Sequence, residues 1–452
     1  MKIHLIAIGG AAMHNMAIAL SGKGYEVSGS DDEINEPSKS RLLDKGLLPE
    51  KTGWFPEKIH SALDAVILGM HARKDNPELL KAQELGLRIY SYPEYLYEQT
   101  KNKIRVVIGG SHGKTTITAM VLHVLKSQGI KTDYMVGAQI EGFDTMVSLS
   151  HEAEVAIFEG DEYLASPIDL RPKFHLYKPH IALLSGIAWD HVNVFPTFEI
   201  YLKQFEEFIY LIENNGKLIF CEEDTVLNKL SQGTNSKISK IPYSVPAHEI
   251  TNGVTNLRIG DAKIPLKIFG DHNLMNLEGA RNICNALGVS NDAFYSEIRT
   301  FKGAAKRLEP VGVFPNFAFY KDFAHSPSKL KATVHALKKQ YPERKLVACL
   351  ELHTFSSLSE NFLNEYSNCM DECDVAIVYF NPHTIAHKKL NPISSEQVKR
   401  AFNRNDLIVF SEQKTVIDFL CHNEWKNRNL LMMSSGTFDG LNFSELLDKI
   451  QP

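Results

Sequence analysis

Positive charge is not in excess in this 452-residue chain: 49 lysines and arginines stand against 54 aspartates and glutamates, a net charge of −5. A protein that holds a nucleic-acid backbone electrostatically needs a basic field, so no nucleic-acid partner is expected. Cysteine is sparse, and Cys221, Cys284, Cys349, Cys369, Cys373 and Cys421 include no C-x-x-C pair. Thiols scattered through a chain of this length read as reduced core residues, against a disulfide framework. No window approaches the ~20 apolar residues of a membrane span. The opening run Met1–Gly10 meets glycine too early for a signal peptide. Repeats at 20–50 residues and low-complexity tracts are also lacking. These absences lead us to expect a cytoplasmic protein with no membrane association. What is present is ordinary, 44% apolar and 23% charged residues, as in globular proteins. At roughly 150 residues per domain the length suggests about three domains.

The pattern of apolar runs is that of an α/β chain. Ile3–Ile8, Glu26–Ser30, Ala65–Leu68 and Leu87–Ser91 read as strands, with helices over Ala11–Gly22 and Pro77–Leu85. Strands alternating with helices imply a parallel sheet covered on both faces. Lys101–Lys103 is a polar joint. A second unit opens with the β-branched strand Ile104–Ile108, continues through a helix over Ile117–Gln128, and has further strands at Val155–Phe158, Ile181–Leu184 and Lys217–Phe220. Residues 301–307 read as a linker. The remaining residues repeat the rhythm, with strands at Ala318–Phe323, Leu346–Leu350, Val375–Tyr379, Leu407–Phe410 and Leu430–Met433, and with Ser326 and Ser394 as helix caps.

One turn carries chemistry. The strand Ile104–Ile108 runs into Gly109-Gly110-Ser111-His112-Gly113-Lys114-Thr115-Thr116 and then a helix. Strand, glycine-rich turn, Lys-Thr and helix is the arrangement that wraps backbone N–H groups and a helix N-terminus around a phosphate. Lys114 would reach the β- and γ-phosphates and the Thr115 hydroxyl would ligate Mg²⁺. Only the short G-x-x-G-K-T form is met, because the position five residues before Gly113 is Ile108. The turn Gly9-Gly10-Ala11-Ala12 fits a dinucleotide fingerprint poorly, since that would need glycine at Ala7 and Ala12. Gly9 still permits a pyrophosphate to approach a helix N-terminus, and Asp31 or Asp32 ends the second strand where a ribose is often bound.

With four further segments in the right order, the chain resembles the Mur ligase family, whose loop reads G-T-x-G-K-T-[ST]. Phe158–Glu162 resembles the family's E-x-D-E segment, Trp189–Asn193 its D-H-x-D, Gly270–Asn276 its G-x-H-N-x-x-N, and Tyr320–Pro327 its D-D-Y-[GA]-H-[HS]-P. The resemblance spans nearly the whole chain. It implies a three-domain α/β architecture: a Rossmann-like UDP-sugar domain over 1–100, a P-loop ATPase-like domain over 101–303, and a Rossmann-like amine-donor domain over 304–452. The implied reaction joins the carboxylate of UDP-N-acetylmuramate to an amine, using ATP and Mg²⁺ and passing through an acyl phosphate. The residues it assigns to catalysis are Lys114, Glu159 and His191, with Thr115, Glu159 and His191 on the metal. ATP would meet Gly110–Thr116, Asn273 and Asn276 at the adenine, and Arg307, Asp322 and His325. The UDP-sugar would meet Gly9, Gly10 and Asp31.

Three departures narrow the expectation. Family members with a carbamylated lysine carry it about fifteen residues beyond the metal histidine, where this chain has Glu206, which favours the branch acting directly on UDP-N-acetylmuramate. Asn193 replaces the second aspartate of D-H-x-D. Glu351–Ser357 lacks both arginines of the P-H-R-Y-[ST]-R stretch found in members that add L-alanine. Asp190–Pro196 and Met432–Gly440 look more like the stretches of members that attach the murein tripeptide L-alanyl-γ-D-glutamyl-meso-diaminopimelate in peptidoglycan recycling. The tripeptide is therefore the expected amine donor, with L-alanine as the alternative.

Overall fold

A computed structural model of the chain describes residues 1–189, 194–234, 237–304 and 307–451. Four sheets carry it. β1 (Lys2–Ile6), β2 (Glu26–Ser30), β3 (Ala65–Leu68) and β4 (Ile89–Ser91) pair in parallel in the order β2-β1-β3-β4. The strand expected over Ile3–Ile8 stops at Ile6, because Ala7 turns to φ +67°.

The second sheet contains β5 (Ile104–Gly109), β6 (Thr132–Met135), β7 (Val147–Ser148), β8 (Val155–Gly160), β9 (Ile181–Leu184), β10 (Lys217–Cys221) and β11 (Ser239–Tyr243). Its order is β11-β10-β9-β5-β8-β6-β7, with only β7 antiparallel. β8 and β9 are buried along their whole length, which is why they read as unbroken apolar runs without alternation.

A ribbon of β12 (His248–Thr251), β13 (Val254–Ile259) and β14 (Ala262–Pro265) is antiparallel. It is not legible as strands in the sequence, since Asn256, Arg258 and Lys263 interrupt any apolar run. The last sheet joins β15 (Glu309–Phe314), β16 (Phe317–Asp322), β17 (Lys345–Leu352), β18 (Val375–Phe380), β19 (Ile408–Phe410) and β20 (Arg428–Met433) in the order β15-β16-β20-β17-β18-β19. β15 is equally absent from the sequence expectations. It is an antiparallel edge strand with a register shift between Pro310 and Gly312, residues that an edge tolerates and an interior strand does not.

By compactness the chain divides into Met1–Val245 with Met275–Ile298, and Pro246–Leu274 with Arg299–Pro452. The ribbon belongs to the second unit, where Thr255 Oγ1 donates to Gln340 Oε1 at 2.8 Å and Gln340 Nε2 donates to the Gly253 carbonyl at 2.6 Å. The division at 1–100, 101–303 and 304–452 follows the motifs and stands as our proposal for functional modules. Ser394 caps its helix in a full box with Gln397. The Ser326 expectation is corrected: helix Pro327–Gln340 starts after it, but the Ser326 hydroxyl makes no cap bond and is buried without a partner. All six cysteines are free, five of them buried. Among the described residues no helix is long and apolar enough to cross a membrane.

In the first unit the polar joint is held by Arg105, whose side chain is 2% exposed. Its guanidinium donates to the carbonyls of Lys101 (2.8 Å), Tyr177 (2.9 Å), Lys178 (3.0 Å), Lys103 (3.2 Å) and Thr100 (3.3 Å), and to Glu213 Oε1 (3.2 Å). A planar five-donor fork suits so many carbonyls at once. Arg105→Met would leave them buried and unmet, at about 1–3 kcal/mol for each group that water cannot reach. We expect the unfolding midpoint of this unit to fall by roughly 6–12 °C, the equivalent of about 3 kcal/mol. Calorimetry of the variant decides it, and a shift under about 2 °C would show that the fork is dispensable.

Candidate active site

The site lies where three neighbouring parallel strands end together. Gly109 of β5 is in register with Gly160 of β8 and Leu184 of β9, and Ile108 with Glu159. The segments leaving these strands therefore meet at one edge: the glycine-rich loop after β5, Asp161 and Glu162 after β8, and Ser185–Ala188 after β9. Open α/β sheets place their ligands at such carboxyl ends.

The loop bends at Gly110 (φ +111°) and Gly113 (φ +78°), a region that side chains disfavour. A Cβ on Gly110 would come within 2.7 Å of the Ser185 amide nitrogen, and one on Gly113 would collide with the Asn276 side-chain oxygen. Gly113 is the N-cap of helix Lys114–Ser127, and no side chain caps it. Its first amides are left for an anion. Ser185 holds the loop from below, its amide donating to the Gly109 carbonyl at 3.1 Å and its hydroxyl to the His112 carbonyl. Ser111 Oγ donates to the Ala188 carbonyl and accepts its amide, both at 2.8 Å. Thr116 is buried in the first helical turn.

Lys114 Nζ donates to the Gly110 carbonyl at 2.7 Å and to Glu162 Oε2 at 2.9 Å. Burial alone would depress its pKa, but Glu162, Asp161 and Glu159 outweigh burial and raise it. Lys114 thus stays an ammonium. Thr115 Oγ1 donates to Glu159 Oε2 at 3.1 Å. The other oxygen of Glu159 is buried with no hydrogen-bond partner. Burial pushes the Glu159 carboxyl up, against the Gly137 amide, Lys114 and Thr115, which pull it down. A hydroxyl beside a buried carboxylate with a spare oxygen is an all-oxygen donor set of the kind a hard divalent cation takes. Among the described residues no group of three or more His, Cys, Asp or Glu gathers to hold a metal. His191, and with it Asn193, lies outside the described residues.

Helix Asp271–Ala286 carries Asn273 and Asn276 one turn apart, both buried. Asn276 abuts Gly113, while Asn273 Nδ2 donates to the Phe269 carbonyl at 2.9 Å. In the second unit Asp322 ends β16 and accepts the amides of Leu308 and Ala324, each at 2.6 Å. Its carboxyl is raised by burial, although those amides and Arg307 oppose the shift. The Arg307 guanidinium lies 4.6 Å from the Phe323 ring centroid. His325 Nδ1 lies 2.8 Å from the Phe323 carbonyl. In the first unit Gly9 N–H donates to Asp31 Oδ2 at 2.7 Å. The buried Asp31 carboxyl is raised by burial, and Gly10 precedes helix Ala11–Gly22 as its cap.

Four residues around the site escape a reading of the sequence: Gly137, Ser185 and Asp224 beyond strand ends, and Tyr201 on helix Phe198–Tyr210. Asp224 Oδ2 accepts the Ile187 amide at 2.7 Å while its other oxygen caps the next helix. Ser-Gly directly after the buried strand β9 is the available signal for Ser185, and a glycine two residues beyond β6 is the one for Gly137. Tyr201 gives none, being one apolar helix position among several.

Residues 108–284 match the Mur ligase middle domain and residues 2–103 match the catalytic domain of the Mur ligase family. A UDP-N-acetylmuramate–L-alanine ligase of Caldicellulosiruptor bescii is 30% identical over 410 residues, 88% of this chain and 87% of the relative. This chain belongs to the Mur ligase family. Members of the family are ATP-dependent ligases that form peptide bonds. Two solved structures share the fold along the chain. The UDP-N-acetylmuramate-alanine ligase of Thermotoga maritima has a TM-score of 0.70 at 19% identity, covering 97% of each chain. A murein peptide ligase of Psychrobacter arcticus 273-4 has a TM-score of 0.64 at 22% identity, covering 100% of this chain and 98% of its own.

The loop geometry makes one substitution decisive. Gly113→Ala adds a methyl group against the Asn276 amide at a positive φ, so the Asn276 side chain must swing away, the loop open or the helix shift. We expect MgADP affinity to fall by at least ~100-fold, about 2.7 kcal/mol, with far-UV circular dichroism unchanged. Affinity within a few-fold of the parent chain would show that this turn does not cradle a phosphate.

Proposed function

We propose that this Mur ligase phosphorylates the carboxylate of UDP-N-acetylmuramate with ATP and transfers the resulting acyl group to an amine donor. The observation that supports it best is the phosphate loop with Lys114 beside Glu162 and the Thr115 hydroxyl on Glu159. An unactivated carboxylate would have to expel an oxide-like leaving group near pH 7, so activation must come first. Phosphoryl transfer brings two anions together, and catalysis is then mostly positioning and charge neutralisation. Lys114 supplies one fixed positive charge. Thr115 and Glu159, with His191 by resemblance, would hold Mg²⁺, which when bound neutralises charge developing on the phosphates. The loop amides orient the transferring group, and Asn273 and Asn276 would receive the adenine. Gly9, Gly10 and Asp31 would receive the UDP-sugar, and Arg307, Asp322 and His325 would act on the nucleotide from the third module.

For the amine donor we favour the murein tripeptide. Thr354 and Ser357 stand where alanine-adding members have arginines. In the second unit they close on each other, with Thr354 Oγ1 to Ser357 Oγ at 2.9 Å and the Ser357 amide to Thr354 Oγ1 at 3.0 Å. On this reading the absence of both arginine side chains is what would admit a donor larger than alanine, with Thr354 half-buried and Ser357 buried. Lys388, 4.3 Å from the Phe355 ring, supplies charge for its carboxylates. The second reading, L-alanine as donor, is favoured by the likeness to the alanine ligase of Caldicellulosiruptor bescii.

Phosphate release from ATP with UDP-N-acetylmuramate, comparing the two donors, tests both readings. We expect kcat/KM for the tripeptide at least ~10-fold above that for L-alanine, about 1.4 kcal/mol in transition-state binding. Preference for free L-alanine would make the second reading correct. In the same assay Lys114→Ala should cost ~100-fold or more in rate. Near-normal turnover by that folded variant would remove Lys114 from the chemistry.

A further inference from the structure

Around Lys114 runs a buried chain of hydrogen bonds that phosphate binding alone does not require. Tyr201 belongs to helix Phe198–Tyr210 and is fully buried, its ring between Phe195 and Phe205 with centroids 5.5 and 5.1 Å away. Its hydroxyl donates to Glu162 Oε1 at 3.0 Å and meets Ser111 Oγ at 3.2 Å. A carboxylate only accepts, so the Tyr201 proton points at Glu162. The other oxygen of Glu162, a residue 2% exposed, takes Lys114 at 2.9 Å. A helix remote in sequence thus grips one end of the carboxylate, while the phosphate-loop lysine holds the other.

This arrangement poses a physical problem. Lys114 must turn toward a phosphate while its present partner is a second anion. A carboxylate free to follow the ammonium would compete for it and repel the arriving phosphate in a site of low dielectric. We propose that Tyr201 is a positioning residue: its hydroxyl anchors Glu162 at the strand end, so that Lys114 can pass to the nucleotide without the carboxylate moving after it. The inference rests on the phosphate-loop reading of Lys114.

Two substitutions move nucleotide affinity in opposite directions. Glu162→Gln keeps an acceptor for Tyr201 and removes the charge that competes for Lys114, so the MgAMP-PNP dissociation constant should fall about 3–10-fold. Tyr201→Phe keeps the ring and removes the anchor, so it should rise about tenfold, the scale of one hydrogen bond to a charged group. In the Glu162→Gln background Tyr201→Phe should then change little, because the two act as one unit. Titration calorimetry on the full chain reads all four proteins, with Lys114→Ala as reference. An undiminished tenfold effect of Tyr201→Phe in the Glu162→Gln background would mean that the tyrosine only packs, and would overturn the proposal. So would weaker binding by Glu162→Gln, which would make Glu162 a ligand of the nucleotide's cation. If Tyr201→Phe does not fold, Tyr201→Leu, which also lacks the hydroxyl, takes its place in both backgrounds with the same outcomes. If Lys114→Ala binds as tightly as the parent chain, the phosphate-loop reading itself fails and this inference with it. A Lys114 effect without the other two overturns only the inference.

Discussion

The parallel register of β5 between β8 and β9 is the constraint on which the site depends. Gly109 and Gly160 face each other across that register. A Cβ at Gly160 would come within 2.8 Å of Val107 Cγ1 and 3.2 Å of Phe174 Cβ. The space over Gly160 is thus already filled by the side chains of Val107 and Phe174, and a residue with a Cβ would not fit there without displacing them. Three chain segments leave the sheet there within hydrogen-bonding reach, which is how Ser111 can clasp Ala188 and Thr115 can touch Glu159. A slip of one residue would turn Glu159 to the opposite face of the sheet.

Electrostatics at that edge are acidic on balance. Glu159, Asp161 and Glu162 face Lys114, with Lys173 paired to Asp161 at 2.6 Å. Buried carboxylates are costly unless a cation compensates them. Lys173 and Lys114 hold the Asp161 carboxyl below the usual range despite its burial, whereas Glu159, with one oxygen unmet, is held above it. The two directions divide the cluster into a satisfied part and a part whose ionised form awaits positive charge. A hard divalent ion beside Thr115 would relieve that cost, and a phosphate at the helix N-terminus would bring it along.

The second unit arranges its polar groups by a different logic. Glu351, at the end of β17, is 2% exposed and accepts the Phe438 amide at 2.8 Å and the Ser434 hydroxyl. Asp322 likewise spends its oxygens on backbone amides. Both carboxylates stitch loops to strand ends, and together they position the crest of loops beyond β16, β17 and β20. His353, its Nδ1 3.7 Å from Glu351 Oε1, stands partly exposed on that crest. On the same crest Thr354 and Ser357 close on each other through their hydroxyls.

Local sequence by itself determined the strands with unbroken apolar runs, Ala65–Leu68 and Ile181–Leu184 to the residue, because a strand buried on both faces needs no tertiary information to read. It also determined the glycine-rich turn before helix Lys114–Ser127, since positive φ at Gly110 and Gly113 favours glycine at those positions. The family emerged from several such segments in order. The tertiary structure alone decided that Arg105 serves as a hub of carbonyls, that Tyr201 reaches Glu162 and Ser111, and that the β12–β14 ribbon belongs with the second unit. It also left Ser326 uncapped where the dipeptide with Pro327 had implied a cap. Each of those depends on partners tens of residues away, and no periodicity or short motif encodes a hydrogen bond whose other half is supplied by a distant turn of chain.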